Sequence, residues 1–373
     1  MAEYNLPAQG ERTAPQTCPN CRGKLLWDPA AGQLKCESCA TLVAAPEPVG
    51  ARIVEHDLLA ELNAARPTGR IGSGTRQMRC SECGAVVEFP DNLVAKKCEF
   101  CDSPAVLAES AREDHYVPES LVPFAVNRDT ATHAFRHWLG KLWFRPSNLK
   151  EKADISELHG VYVPYWTFDA DVTSSWTADA GYHYYVSESY TTTENGKTVH
   201  KTRQVQKTRW VPASGQRHDR HDDHLVCASA GLPDALATRM ANFQTGELRA
   251  YTRELLQGFS AESYAIELPA AWTRAQGEIA DVQERRCAGD VPGDTQRSLR
   301  VSNRFASTSF KHVLLPVWIA AFRYQSQVFR FLVNGQTGSV SGHAPYSVVK
   351  ITLFVMTLVL VAAGIFLLWQ GRH

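Results

Sequence analysis

Ten cysteines stand in the 373-residue chain, and eight of them fall in four Cys-x-x-Cys pairs. Cys18, Cys21, Cys36 and Cys39 form one set; Cys80, Cys83, Cys98 and Cys101 form a second, every ligand displaced by 62 residues from its counterpart. Four soft thiolates at knuckle spacing make the closed tetrahedral shell of structural zinc. No His, Asp or Glu replaces a sulfur in either set, so no coordination position is left for water or substrate. The chemistry expected is structural: two zinc ions, each supplying most of the folding free energy of a small ribbon. Redox-active Cys-x-x-Cys is the alternative, and the paired, duplicated quartets argue against it.

The elements that must position these ligands are short β-hairpins. Fourteen residues separate the two pairs of each quartet, and Lys24-Leu25-Leu26-Trp27 and Val86-Val87-Glu88-Phe89 read as the strands between them. Gly84, directly after one pair, suits a tight turn. The ribbons are placed at 14–44 and 77–108. The linker between them, 45–76, is rich in Pro and Gly around one short helix near Glu55 to Ala65.

Other residues could carry chemistry further along. Lys201, Arg203, Lys207 and Arg209 alternate with Thr202, Gln204, Gln206 and Thr208, so one strand face is cationic: a charge-guarded edge, or a patch for anionic headgroups or an acidic partner. The segment His218, Asp219, His221, Asp222, Asp223, His224 is dense in nitrogen and oxygen ligands but irregularly spaced, and it reads as a solvated loop. Cys227 and Cys287 have no ligand spacing around them. No phosphate loop, Gly-x-Ser-x-Gly elbow or His-Glu-x-x-His is present, so no enzymatic activity and no catalytic residue is expected.

Lys+Arg and Asp+Glu both number 39, leaving no global field to steer the chain onto a polyanion. Residues 1–115 hold 12 basic and 16 acidic side chains, and two zinc tetrathiolates would bring that region to about −8. This argues against nucleic acid as the ribbons' partner and favours protein contact. Ile351 to Trp369 carries no charge and, at 1.5 Å per residue, is long enough to cross a bilayer, so a transmembrane helix is expected at 348–369. The N-terminus has no signal-peptide pattern, and zinc thiolates persist in a reducing compartment. The expected topology is therefore single-pass in the inner membrane, with the N-terminal domain cytoplasmic.

Between ribbons and anchor, the texture is α+β and rich in aromatic residues. Leu121–Val126 reads as a strand, and Asp129-Thr130 as the cap of a helix Ala131 to Phe144. Val161–Phe168 begins a meander through Trp176 and Tyr182 to Val186, whose partner hairpin turns at Asn195-Gly196. Val161–Trp166 aligns with Val313–Trp318, which suggests two related units, 116–232 and 233–345.

The segments Gly160–Asp169, Gly181–Tyr185, Lys207–Trp210, Leu225–Ser229 and Phe310–Trp318, with Leu121–Phe124, His137–Leu139 and Leu142–Phe144, resemble a bacterial family of twin zinc-ribbon membrane proteins. That family is often labelled primosomal helicase-like. The chain has no nucleotide-binding motif to support such a label. A more distant resemblance is to membrane zinc-ribbon adaptors of SPFH-type and phage-shock-type envelope-stress systems. It implies a tail-anchored adaptor that recruits such partners. A nucleic-acid-binding protein of replication or transcription is the alternative.

Overall fold

The computed structural model describes residues 17–45, 53–63, 75–90, 97–104, 106–109, 116–146, 158–194, 197–324, 327–342 and 345–370. The architecture is mixed α+β, built on a sheet larger than the sequence suggests, with a cysteine quartet in each of two N-terminal ribbons and one apolar C-terminal helix.

Two long strands form the centre. β9 runs His159–Glu194 without a turn, where the sequence suggests a meander. The first part, residues 161–170, is buried on both faces, and from Asp171 a period of two takes over: even positions to Ala180 are buried, while Asp171, Ser175 and Thr177 are exposed. Gly181 does not interrupt the strand. A Cβ there would lie 2.6 Å from Thr295 and 2.8 Å from Trp210, so glycine lets the neighbours close in. β13 (Thr295–Tyr324) pairs antiparallel with β9, from Ile319 opposite His159 to Thr295 opposite Gly181. On the other edge of β9 lies β10 (Lys197–Cys227). The Asn195-Gly196 turn lies outside the described residues.

The aligned segments Val161–Trp166 and Val313–Trp318 sit side by side, centred on the Val163–Leu315 pair. β8 (Ser120–Leu121) runs parallel to β13 at Val313 and Leu314, as β12 (Ser260–Glu262) runs parallel to β9 at Val161 and Tyr162. Trp166 Nε1 donates to Ile266 O and Trp318 Nε1 to Val126 O, both at 2.8 Å. Each acceptor stands two residues before a helix, α4 (Leu268–Asp290) and α2 (Arg128–Gly140) respectively. The two aligned strands thus share one sheet about a local two-fold at Val163 and Leu315.

Several boundaries differ from the sequence reading. Helix α2 begins at Arg128, capped by Asn127, whose side chain accepts from Thr130 N at 2.8 Å; it ends at Gly140 rather than at Phe144. The strand expected at Leu121–Val126 stops at Leu121, because Pro123 has no N–H and the N–H groups of Ala125 and Val126 both go to Gly335 O. The linker helix α1 is only Leu58–Leu62, capped by Asp57 and preceded by the two-residue strand β4 (His56–Asp57), which pairs with β13; residues 64 and 65 lie outside the described residues.

The His218 to His224 segment is not a loop. It lies within β10, paired with β9 up to a bulge at Asp222 and Asp223. At the far end of the chain, α5 (Val348–Gln370) is long and apolar enough to cross a membrane, and none of its apolar stretch Val348–Leu367 is buried. It leaves the sheet beside α2: Ser347 N donates to Phe144 O, and Phe354 packs edge-on against Phe144 at 5.2 Å.

Candidate metal centres

Each ribbon presents its sulfurs from two knuckles of one design. In all four, the N–H four residues after the first cysteine donates to that cysteine's carbonyl: Arg22 to Cys18, Ala40 to Cys36, Gly84 to Cys80 and Asp102 to Cys98. The donor residue stands in the left-handed region every time, with φ of 59°, 58°, 79° and 56°. Only Gly84 is the residue type that conformation prefers. The turn geometry is therefore carried by the Cys-x-x-Cys spacing and tolerates Arg, Ala and Asp.

The first ribbon is a three-stranded sheet of β1 (Leu25–Asp28), β2 (Gln33–Cys36) and β3 (Leu42–Val43). Its sulfurs approach pairwise: Cys18 to Cys39 at 3.5 Å, Cys21 to Cys36 at 3.4 Å and Cys21 to Cys39 at 3.3 Å. In the second, formed by β5 (Thr75–Cys80), β6 (Val86–Pro90) and β7 (Val106–Glu109), Cys80 to Cys101 and Cys83 to Cys98 are both 3.6 Å. Within each quartet all four sulfurs lie within 4.8 Å of one another. A disulfide would need about 2.05 Å, whereas a tetrahedron with metal–sulfur bonds of ~2.3 Å has edges of about 3.8 Å. The donor set fits one soft metal ion per ribbon, with all eight predicted cysteines as ligands. Among the described residues these two quartets are the groups that could hold a metal ion.

The surroundings of the two centres differ. Cys21 is exposed and Cys39 half-buried, with Thr41 Oγ1 3.0 Å from the Cys39 sulfur. In the second ribbon Cys80, Cys98 and Cys101 are all buried, against Phe100, Val161, Val163 and Leu315. There β6 pairs with β12, Ser263 N donates to Val86 O at 2.9 Å, and Arg330 Nε donates to Phe100 O at 2.7 Å. Glu262, wholly enclosed beside this ribbon, has its carboxyl pushed up to about 8 by burial.

The side chains of the His218 to His224 segment face two ways, as a strand requires. Those turned toward α4 bond to protein: His224 Nε2 lies 2.9 Å from Glu278 Oε2, His221 Nε2 lies 3.0 Å from Gln283 Nε2, and Arg217 and Arg286 both donate to Asp219. The hydrogen bond from Arg217 holds the Asp219 carboxyl at about 2. His218, Arg220 and Asp222 are exposed on the other face. Asp219, His221 and His224 thereby fasten a helix to a sheet, and His221, Asp222, Asp223 and His224 also line one cavity together with Arg274 and Glu278. Cys227 and Cys287 are both buried, Cys287 on the inner face of α4 against Trp176.

The four basic residues do share one face of β10, and the structure adds what their spacing could not. Tyr182, Tyr184 and Tyr190 of β9 stand directly opposite Arg209, Lys207 and Lys201. The antiparallel register that decides this was not readable from either strand alone.

No known protein family matches the chain, and no solved structure matches it. Uncharacterized protein YdjG of Bacillus subtilis (strain 168) is similar to it, 26% identical over 355 residues, which make up 94% of this chain and 94% of that protein.

Proposed function

We propose that the protein is a membrane-anchored adaptor: a non-catalytic platform of two structural zinc ribbons on a large sheet, which holds protein partners at the cytoplasmic face of the inner membrane. The observation that carries this reading is the pairing of two closed four-thiolate centres with one unburied apolar helix at the C-terminal end. A shell of four thiolates leaves zinc no open position, so the metal's contribution is to shape and rigidity. Helix α5 confines whatever the platform binds to a bilayer surface. The resemblance to zinc-ribbon membrane proteins of SPFH-type and phage-shock-type systems supports envelope stress or membrane organisation as the setting.

The test is affinity capture of the full chain from detergent-solubilised membranes. A stoichiometric protein partner should be recovered with the wild type and lost with Cys80→Ser. Recovery of no partner with the wild type would overturn the adaptor reading, and an unchanged partner set with Cys80→Ser would remove the second ribbon from the binding platform.

A further inference from the structure

Helix α4 ends at Asp290 and strand β13 begins at Thr295, opposite Gly181. Beyond that point, among the described residues, β9 and β10 continue alone as a two-stranded arm, from Tyr182 to Glu194 and from Lys197 to Arg209. On the covered part of β9, the even positions Phe168, Ala170, Val172, Trp176 and Ala178 are buried in the clusters that α4 caps. With no break in register the same face emerges on the arm as Tyr182, Tyr184, Val186, Glu188 and Tyr190. Across from them stand Arg209, Lys207, Val205, Arg203 and Lys201. The reverse face carries Ser, Thr, Gln and His, with Tyr185 its one aromatic residue between positions 182 and 194.

The aromatic face is open. Tyr182, Tyr184 and Tyr190 are 37%, 45% and 40% exposed. Glu188 sits between Lys207 at 2.9 Å and Arg203 at 3.6 Å, and the Arg203 guanidinium lies over the Tyr190 ring at 5.7 Å. Four cations and one carboxylate thus frame an apolar centre in which Val186 and Val205 are directly paired.

We propose that this face of the arm is a docking surface for an acidic amphipathic helix of a partner protein, seated as α4 is seated on the adjoining stretch of the same sheet. Helix α4 shows what the face accepts: a stripe of Leu268, Ala271, Trp272, Ala275 and Ile279 against the sheet, and ion pairs at the rim such as Asp290 with Arg217 at 2.7 Å. On the arm the rim cations belong to the sheet, so the helix that completes it carries the carboxylates. Two copies of the face would set cation against cation. The face is distant from the anchor: the chain enters α5 from the end of the sheet at Gly160, and about 70 Å of strand, at ~3.3 Å per residue, separates Gly160 from Tyr182. A single-stranded nucleic acid would set its phosphates against the Glu188 carboxylate of the frame, which already pairs with Lys207 and Arg203. The inference rests on the adaptor reading and says where, and by what chemistry, one partner binds.

The full chain in detergent micelles is titrated with two fluorescent peptides of about 18 residues, enough to span ~27 Å as a helix. They share a Leu/Ala stripe; one carries Glu on its flanks and the other Lys. The Glu peptide should bind and the Lys peptide should not. Combined Lys201→Glu, Arg203→Glu, Lys207→Glu and Arg209→Glu should weaken binding by about tenfold or more, and the milder pair Lys201→Gln with Lys207→Gln by a few-fold. Hydrogen exchange over residues 159–181 confirms that each variant keeps the sheet. Equal binding of the Glu peptide by wild type and variants, or binding of neither peptide, overturns the proposal. So does tighter binding of oligothymidylate than of the Glu peptide. Slowed exchange at 199–209 in vesicles containing phosphatidylglycerol, but not in pure phosphatidylcholine, would assign the face to lipid and also overturns it. In affinity capture, a partner retained by the four-fold variant keeps the adaptor reading and sinks this docking site. Absence of any partner with the wild type sinks the adaptor reading, while the titration still decides the face.

Discussion

The two ribbons carry the same ligands at the same spacing and the same pair of hydrogen-bonded knuckles, yet they are attached to the molecule in different ways. The first is a separate three-stranded sheet that touches the core through side chains and caps: Leu25, Trp27 and Leu34 pack with Phe124 and Tyr162, Trp27 Nε1 donates to Phe124 O at 2.8 Å, and Trp27 N to Gln257 O at 3.0 Å. The second is spliced into the main sheet through β6 and β12, and buries its sulfurs on the opposite face of β9. The even residue Tyr162 faces the first ribbon; its odd neighbours Val161 and Val163 face the second. Identical local chemistry can therefore serve as an appended module in one place and as structural sheet in another, depending on whether its edge strand finds a partner.

The sharpest way to break this comparison is to remove one ligand from each centre. Cys36→Ser and Cys98→Ser should each lower the metal content by one ion per chain, a loss on the order of 10 kcal/mol of binding free energy at the site. Only Cys98→Ser should expose the sheet to protease over residues 158–342, because only that ribbon shares backbone pairing with it. Equal protease sensitivity in both variants would erase the distinction.

Next in size is Trp27→Phe, which removes the donor to Phe124 O and part of a buried ring. It should cost about 1–3 kcal/mol in urea unfolding. Amide exchange should quicken over residues 25–36, with no change over 76–87. Faster exchange in both ribbons would mean that the first is coupled to the core by more than this anchor.

The knuckles offer a smaller and opposed pair. Gly84→Ala should destabilise by about 1 kcal/mol, since a Cβ is placed at a left-handed φ. Ala40→Gly relieves the same strain at the equivalent position of the first ribbon, and should stabilise that ribbon's metal-bound form by a few tenths of a kcal/mol. Thermal denaturation of the zinc-loaded chain should separate the two signs; a matching sign would show that the knuckles are not equivalent.

The smallest effect concerns the segment between the ribbons. His56 bonds Glu119, and that hydrogen bond raises its pKa, helped by the charges of Glu119 and Glu61 and opposed by partial burial. A raised histidine pKa adds stability that is fully present below the unfolded value of ~6.5 and is lost as pH rises through the folded value. Solvent screening keeps this below about 1 kcal/mol. His56→Gln should flatten the fall in stability above pH ~6.5, and an unchanged slope would dismiss the pair as its source.

Much of the molecule was legible before any fold was known where the signal is local. Cysteine spacing located both quartets, because tetrahedral ligation demands short loops between paired thiols. The charge-free run located α5, because a bilayer demands length and apolarity together. The apolar runs around Val161 and Val313 read as strands. What misled was punctuation: the stretch through Trp176 and Tyr182 to Val186 read as a meander and His218 to His224 as a loop, yet they sit inside strands of 36 and 31 residues, since neighbouring strands satisfy their backbone groups.

Spacing, periodicity and hydropathy, all properties of consecutive residues, sufficed for the metal donors, the cationic strand face and the apolar C-terminal helix. Pairing decided the rest. Only the tertiary structure set Val163 against Leu315, carried one ribbon into the sheet and left the other beside it, and faced Tyr184 with Lys207 on a two-stranded arm. Those are relations between residues far apart in the chain, and their energy comes from contacts that exist only after the strands have met.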